Sequence, residues 1–106
     1  MSGAEDFIAV IWEARAKPGC EAEMRSFLAA AVTQSRSDPG CIDYEMHEVT
    51  DAAGVFIAYE RWVNRDALDK HLHAPRMREM VPHLLTLMEG SIEDGMRIIH
   101  RIRPAG

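Results

Sequence analysis

Four stretches of the chain have the alternation or the composition of β-strands. Residues 7–16 (FIAVIWEARA) are rich in β-branched and aromatic side chains and end at the turn sequence KPG. Residues 41–49 (CIDYEMHEV) alternate between apolar and polar side chains, as a half-buried strand does. Residues 55–63 (VFIAYERWV) and 95–103 (GMRIIHRIR) complete the set. These stretches predict the strands of one sheet.

Between the strands, apolar residues recur at helical spacing. A first helix is predicted over residues 21–36, before the sequence SDPGC ends it. Asn64 is a suitable N-cap for a short second helix over residues 65–72. A third helix is predicted over residues 75–88, and Pro82 inside it predicts a kink or a division, because proline cannot donate a backbone hydrogen bond.

The order of these elements indicates the fold class. It reads β-α-β-β-α-β, with two short helices in the second helical position, which is the pattern of an α+β ferredoxin-like fold. All helices would then cover one face of a four-stranded antiparallel sheet. The length of 106 residues suits a single domain, 1–106, with its core over about residues 7–102.

The other face of this sheet predicts a partner. The third strand is apolar on both sides, and the first strand has the same character. A bare face of that composition would expose a larger apolar patch than monomers usually do. We therefore expect a two-fold homodimer in which the sheet faces of two copies pack together.

Charge and hydropathy restrict which other partners the protein can have. The formal net charge is −5, with acidic and basic residues interleaved, so the chain has no basic stripe for a phosphate backbone and nucleic acid is not expected. The N-terminal sequence MSGAEDF lacks the basic and apolar regions of a signal peptide, and no apolar run approaches the ~20 residues of a membrane span. These features predict a cytoplasmic protein without a membrane partner.

The familiar cofactor and nucleophile motifs do not occur in the chain. The dinucleotide fingerprint, the phosphate-binding loop, HExxH and GxSxG are all absent, and Cys20 and Cys41 form no CxxC pair. We therefore expect no metal and no resident cofactor. Any redox chemistry would use a guest cofactor or the reducing power of the substrate itself.

The stretch YERWVNRDALDKHL contains the residues best suited to catalysis. Histidine has an unperturbed pKa near neutrality, and His71 shares a predicted helix face with Leu68, so it should face the sheet. Glu60 and Trp62 lie on one side of the third strand. On the helix-covered side, Glu60 would fix the tautomer of His71 and Trp62 would add an apolar wall. The alternative is structural: a core histidine bound to a backbone carbonyl, and a glutamate paired with a cation.

A cavity that accepts an aromatic ring is the second candidate feature. Aromatic and methionine side chains would line it, since methionine packs adaptably against rings. The candidates for substrate binding are Trp12, Tyr44, Met77, Met80 and His83. Side chains of this kind also commonly form an ordinary hydrophobic core.

Several motifs occur together in an order that resembles a known family. After KPG come PGCIDYEM, YERWVNRDALDKHL and HAPRM, and this combination resembles the antibiotic biosynthesis monooxygenase family, above all its small quinol monooxygenases. The resemblance implies a dimeric α/β barrel of ferredoxin-like subunits. It also implies an enzyme that oxidises a phenolic, anthrone or quinol substrate to a quinone with molecular oxygen, without metal or flavin.

The resemblance also implies roles for three residues. The family's glutamate, tryptophan and histidine match Glu60, Trp62 and His71. His71 would be the base or the partner of the phenolate, Trp62 a stacking or hydrogen-bonding wall, and Glu60 the residue that orients His71.

Two other functions remain open for this fold. A ligand-binding protein or an isomerase would use the same pocket without consuming oxygen. Haem-degrading relatives use an asparagine on the first strand, a tryptophan on the middle helix and a histidine on the next helix. The matching positions here hold Trp12, His71 and Val81, although His83 lies close enough to leave a shifted haem ligand open.

Overall fold

The computed structural model of the protein describes residues 7–106. Its elements are β1 (Ile8–Arg15), α1 (Glu21–Ser35), β2 (Cys41–Glu48), β3 (Val55–Trp62), α2 (Arg65–Leu72), α3 (Pro75–Leu87) and β4 (Met96–Ile99), with a short 3-10 helix at Glu93–Gly95 before β4. The first six residues, which the signal-peptide argument used, lie outside this range. Within the described part of the chain, no helix is long and apolar enough to span a bilayer.

The strands form one antiparallel sheet in the order β2-β3-β1-β4. One row across it runs from Met46 through Ala58 and Trp12 to Met96. Side chains in such a row share a face of the sheet, and this row lies on the face that the helices cover. The predicted α+β ferredoxin-like fold is confirmed.

The core lies between this face and the helices. One cluster joins Trp12 and Phe56 to Met24 of α1 and Leu84 of α3. A second cluster, which includes Trp62 and Leu68, packs the opposite end of the sheet against α2. A fully buried side chain of this size contributes about 1.5–3 kcal/mol, so these contacts hold the three helices on one face.

The last two elements differ in detail from the prediction. Helix α3 continues through Pro82 as one element and is not divided. Strand β4 ends at Ile99, well before the predicted Arg103. Ile99 pairs with Ala9, and β1 begins only one residue before Ala9, so almost no strand is left for β4 to pair with. An edge strand that has no further neighbour to pair with cannot extend its ladder.

The second face of the sheet has no helix over it in the described residues. Ile11, Ile57 and Tyr59 lie half-buried in its centre, and the exposed Glu13 and Arg15 lie toward one end of it. An apolar centre with charged side chains beside it is the composition of a surface that another molecule can cover.

Candidate active site

Helix α2 holds His71 against the sheet. The helix begins at Asn64, whose side-chain oxygen accepts a hydrogen bond from the backbone N–H of Ala67 at 2.9 Å, as an N-cap residue does. Leu68 and His71 then fall on the same inward face, and His71 is only 3% exposed. An imidazole this far from water needs a polar partner.

That partner is Asp38, in the loop between α1 and β2. Nδ1 of His71 lies 2.6 Å from Oδ2 of Asp38. Arg76 of α3 donates to both oxygens of the same carboxylate, each at 3.0 Å. The partner of His71 is therefore Asp38, whereas the sequence suggested Glu60.

The loop that carries Asp38 is held tightly against α2. The backbone N–H of Asp38 donates to the Ser35 carbonyl at 3.0 Å, and its carbonyl accepts from Cys41 at 3.1 Å. Gly40 has φ +83°, and a Cβ placed there would lie 2.5 Å from the Cβ of Ala67. Only glycine permits this backbone conformation and this close approach without strain.

The charges around His71 define its tautomer. Burial alone would raise the pKa of Asp38, but the hydrogen bonds from Arg76 and His71 outweigh it and hold that pKa below its ordinary value. An ionised carboxylate can only accept, so Nδ1 of His71 carries the proton and donates it. Burial lowers the pKa of His71 despite the opposing effect of Asp38, so the ring is neutral near pH 7. Its lone pair then lies on Nε2, which has no hydrogen-bond partner among residues 7–106.

Trp62 and Glu60 form the sheet side of the site. The rings of Trp62 and His71 are 4.6 Å apart between centroids, at an angle of 35°. Nε1 of Trp62 donates to Oε1 of Glu60 at 2.9 Å, and Tyr44 is a second hydrogen-bond partner of this carboxyl. Burial raises the pKa of Glu60 to about 7, although both hydrogen bonds oppose the rise. Glu60 is therefore a carboxyl group that exchanges a proton near neutrality.

A small cavity between the sheet and α3 joins these groups. Glu60 and His71 both line it, and the rest of its wall is mainly apolar: Trp12, Leu28, Ala31, Tyr44, Met46, Leu72, Met77, Met80, Val81, Leu84, Ile92 and Met96. Four of the five candidates for substrate binding are therefore in the wall. Trp62 is fully buried behind His71 and does not line the cavity.

His83, the fifth candidate, lies outside the cavity. Its side chain is 51% exposed, and Nε2 lies 3.4 Å from a carboxylate oxygen of Glu23. Its ring packs against Phe27 of α1 at 5.0 Å between centroids. The period of α3 thus turns His83 toward α1, away from His71. In residues 7–106, no group of three or more histidine, cysteine, aspartate or glutamate side chains is arranged to bind a metal ion.

Comparison with known proteins settles the family. Residues 7–83 match the sequence profile described as "Antibiotic biosynthesis monooxygenase". The chain belongs to this family. The matched residues include all of the groups around His71, so the site lies inside the segment that defines the antibiotic biosynthesis monooxygenase family.

Two relatives of this family member are similar in sequence. It is 36% identical over 81 residues to the uncharacterized protein sll1783 of Synechocystis and 34% identical over 82 residues to "Putative monooxygenase Rv0793" of Mycobacterium tuberculosis. These alignments cover 76% and 74% of this chain, but 55% and 80% of the relatives. The chain thus spans about half the length of the Synechocystis protein.

Solved structures share the fold. The structure of Rv0793 has a TM-score of 0.81 and 25% identity, and the match covers 94% of this chain and 99% of that one. A mutant of SnoaB from Streptomyces nogalater, described as a cofactor-independent oxygenase, has a TM-score of 0.80 and 17% identity, with 93% and 96% covered. At that identity the likeness to SnoaB is one of fold alone.

Two residues of the site in this antibiotic biosynthesis monooxygenase family member were not found from the sequence. Asp38 lies in the sequence SDPGC, which reads as a helix stop, and Arg76 follows Pro75 in the first turn of a helix. The signal that could have pointed to Asp38 is a carboxylate beside Pro-Gly, just before a strand with an inward tyrosine. Nothing local distinguishes Arg76 from the exposed Arg78.

Proposed function

We propose that the protein is a cofactor-independent monooxygenase that oxidises a small aromatic quinol, phenol or anthrone with molecular oxygen. The observation that carries the proposal is the neutral His71, whose Nδ1 is bound to Asp38 and whose Nε2 remains free in an apolar cavity. Membership of the antibiotic biosynthesis monooxygenase family supports the reaction class.

The first step in this proposal is deprotonation of the substrate. Nε2 of His71 takes the proton of the phenolic hydroxyl group, and the ionised Asp38 stabilises the imidazolium that forms. The apolar wall keeps water away, which strengthens this charge pair and leaves the phenolate without a hydration shell. An electron-rich phenolate can then pass electrons to oxygen.

The remaining steps balance without a further reductant. For an anthrone, the proton that His71 takes comes from the reacting CH₂ group, which leaves the ring system as its phenolate. Overall this carbon loses both hydrogens and gains one oxygen atom as a carbonyl group, while the second oxygen atom leaves with both hydrogens as water. The substrate supplies all four electrons that reduce the oxygen molecule. We propose that Glu60, protonated near neutrality, returns a proton to the reduced oxygen. Trp62 keeps the His71 ring in place by stacking on it.

A second function would use the same two groups without oxygen. A base at His71 and an acid at Glu60 are also the parts of an isomerase that moves a proton within a ligand. The haem alternative has less support, because the half-exposed His83 faces Glu23 and Phe27 instead of the cavity.

Oxygen uptake separates these functions. Purified protein is incubated with a panel of hydroquinones and anthrones, with and without air, while dissolved oxygen and product are followed. We expect uptake that falls by roughly 10²-fold or more in His71→Ala and stays unchanged in His73→Ala, a matched change of an exposed histidine at the end of the same helix. Uptake that is equal in wild type and His71→Ala would refute the role of His71. Conversion of a ligand without oxygen uptake would favour the isomerase.

We further propose a homodimer through the uncovered sheet face. The half-buried Ile11, Ile57 and Tyr59 provide an apolar centre that a second copy would cover. A two-fold pairing suits this face because the same patch is then buried on both subunits.

A further inference from the structure

Helix α3 closes the cavity beside His71. Its side chains Met77, Met80, Val81 and Leu84 form one wall. The cavity holds only about 50 Å³, whereas an engineered cavity of about 150 Å³ takes up one benzene molecule. An aromatic substrate therefore enters only if a wall moves.

The two ends of α3 are held very differently. At its C-terminal end, Leu84 and Leu87 are buried, and the backbone N–H of Lys17 donates to the Leu87 carbonyl at 2.8 Å. None of residues 75–81 is fully buried. Pro82 has no N–H to give to the turn before it, which weakens the helix between the two halves. The N-terminal half is thus the part of the wall best able to move.

Arg76 is the polar tether of this half. Its two terminal nitrogens hold both oxygens of Asp38 in a forked pair. Its Nε is buried without a hydrogen-bond partner in the described part of the chain. Water would satisfy that donor if the helix moved outward, which reduces the free energy needed to open the pair. The contact is therefore specific in geometry yet releasable.

Asp38 links this tether to the proposed base. Its Oδ2 atom meets both Nδ1 of His71 and one terminal nitrogen of Arg76. With α3 closed, Arg76 holds the carboxylate in the orientation that keeps the proton on Nδ1 and the lone pair on Nε2. With α3 displaced, the carboxylate loses two of its hydrogen bonds and can turn away from the imidazole.

We propose that Asp38 and Arg76 are positioning residues that couple closure of α3 over the cavity to the presentation of Nε2 of His71 as a base. His71 thus becomes an effective base once α3 has closed again over a bound substrate, with the apolar side chains of the wall moved apart to make room for it, and the pair of Asp38 and Arg76 has re-formed. The catalytic part rests on the proposed function. The coupling itself is a property of the protein that can be measured without a substrate.

Four titratable or charged groups surround His71 and bear on the measurement. Asp38 faces it from the α1–β2 loop, Arg76 from α3, Tyr44 from β2 and Glu60 from β3. Changing Arg76 alone leaves the other three in place. A change in the His71 ring can then be assigned to the loss of Arg76, and Arg76→Lys, which keeps a positive charge there, separates the loss of the fork from the loss of the charge that lowers the pKa of His71.

The test uses Arg76→Met, which removes the charged fork but keeps most of the aliphatic stem. Arg78→Met, at an exposed position on the same helix, is the matched control. Long-range ¹H–¹⁵N spectra of the imidazole report which nitrogen of His71 carries the proton, and amide hydrogen exchange reports the opening of α3. Both are recorded on the full chain without substrate.

We expect wild type and Arg78→Met to show the proton on Nδ1. In Arg76→Met, the other tautomer should become populated, and the amides of residues 77–81 should exchange at least ~10-fold faster, while those of the C-terminal turn stay protected. Asp38→Asn should disturb the tautomer in the same way. Arg76→Lys, which keeps the charge without the fork, should restore part of the wild-type signal. A His71 spectrum and exchange rates in Arg76→Met equal to those of Arg78→Met would overturn the proposal.

Activity gives an independent readout. We expect kcat/KM for the oxygenase substrate to fall by at least ~10-fold in Arg76→Met, as it does when an orienting partner is lost, and to stay at the wild-type level in Arg78→Met. If neither the wild type nor any variant consumes oxygen, the proposed function fails. The spectra then still decide whether closure of α3 and the His71 tautomer are coupled. If Arg76→Met unfolds, Arg76→Lys carries the same comparison.

Discussion

At the scale of single residues, the unusual feature is a buried carboxyl group that lines the same small cavity as a neutral imidazole. Glu60 is 6% exposed, and its pKa is raised to about 7 because burial disfavours the charged form. Trp62 and Tyr44 supply its hydrogen bonds and reduce that cost without removing it. The buried Glu60 thus provides a proton donor within the cavity, and it lowers the stability of the folded protein above neutral pH.

The first prediction concerns this cost. The folded protein holds the Glu60 proton with a pKa of about 7, against an ordinary value of 4.5. The stability that the folded protein gains from holding this proton is fully present below pH 4.5. It falls by about 3 kcal/mol in total as the pH rises from 4.5 through 7. Glu60→Gln cannot ionise, so the variant should gain stability relative to wild type as the pH rises. Urea unfolding of both proteins from pH 4.5 to 8.5 measures this difference.

Comparing wild type with Glu60→Gln also cancels the contribution of His71 to the pH dependence of stability. Its lowered pKa makes stability fall as the pH drops below the ordinary value of 6.5, and this occurs in both proteins. Glu89→Gln, at an exposed carboxyl group just after α3, is the control and should follow wild type. Parallel stability curves for wild type and Glu60→Gln would contradict the prediction.

The second prediction concerns the pH dependence of the proposed reaction. A neutral His71 and a protonated Glu60 are both required, so kcat/KM should follow a bell-shaped curve. Its acidic limb should lie below pH 6.5, since burial lowers the pKa of His71. Its alkaline limb should lie at about pH 7, where Glu60 ionises, and should be missing in Glu60→Gln. An alkaline limb that persists in Glu60→Gln would assign it to another group.

At the scale of elements, the site depends on how the α1–β2 loop meets α2. Gly40 allows the two backbones to approach so closely that a Cβ would lie 2.5 Å from the Cβ of Ala67. The loop carries Asp38 and the helix carries His71, so this contact determines the distance between the two side chains. Gly40 therefore helps to position Asp38 against His71.

The third prediction tests that contact. Gly40→Ala should lose roughly 1–3 kcal/mol of unfolding free energy through overpacking, in addition to the cost of its positive φ. Gly19→Ala is a matched control, because its φ of +86° is nearly the same but nothing lies within 4 Å of the added Cβ. Thermal or urea unfolding of the two variants gives the difference. Equal losses would mean that the contact with Ala67 carries no strain.

At the scale of the whole molecule, one face of the sheet is left without a covering helix in the described residues. Its apolar centre is a few residues wide, and charged side chains lie beside it. The cavity and the uncovered face lie on opposite sides of the same sheet. Dimer formation can therefore stabilise the sheet without blocking the cavity.

The fourth prediction tests the dimer. The wild-type protein should sediment as a dimer at micromolar concentration. Ile57→Glu places a charge in the centre of the uncovered face and should give a monomer. Leu85→Glu changes a similarly apolar side chain, 42% exposed, on the helix side and should remain dimeric. A wild-type monomer at this concentration would exclude the proposed interface.

Much of this protein follows from local pattern. The period of two in the strands and of 3.6 in the helices determines which side each residue takes, and so predicts the element order and the inward direction of His71. The same rule placed Glu60 and Trp62 on one side of β3. These conclusions needed only neighbours within one element, whereas the structure decided that the helices cover this side of β3.

The partners across elements were decided by the tertiary structure alone. Asp38 reaches His71 across 33 positions of the chain and Arg76 across 38, and no periodicity within one element encodes such a distance. The same limit applies to His83, whose helix turns it toward α1, and to the end of β4, which depends on where β1 begins. Local pattern determines the face of an element, whereas packing between elements determines which side chains on those faces meet.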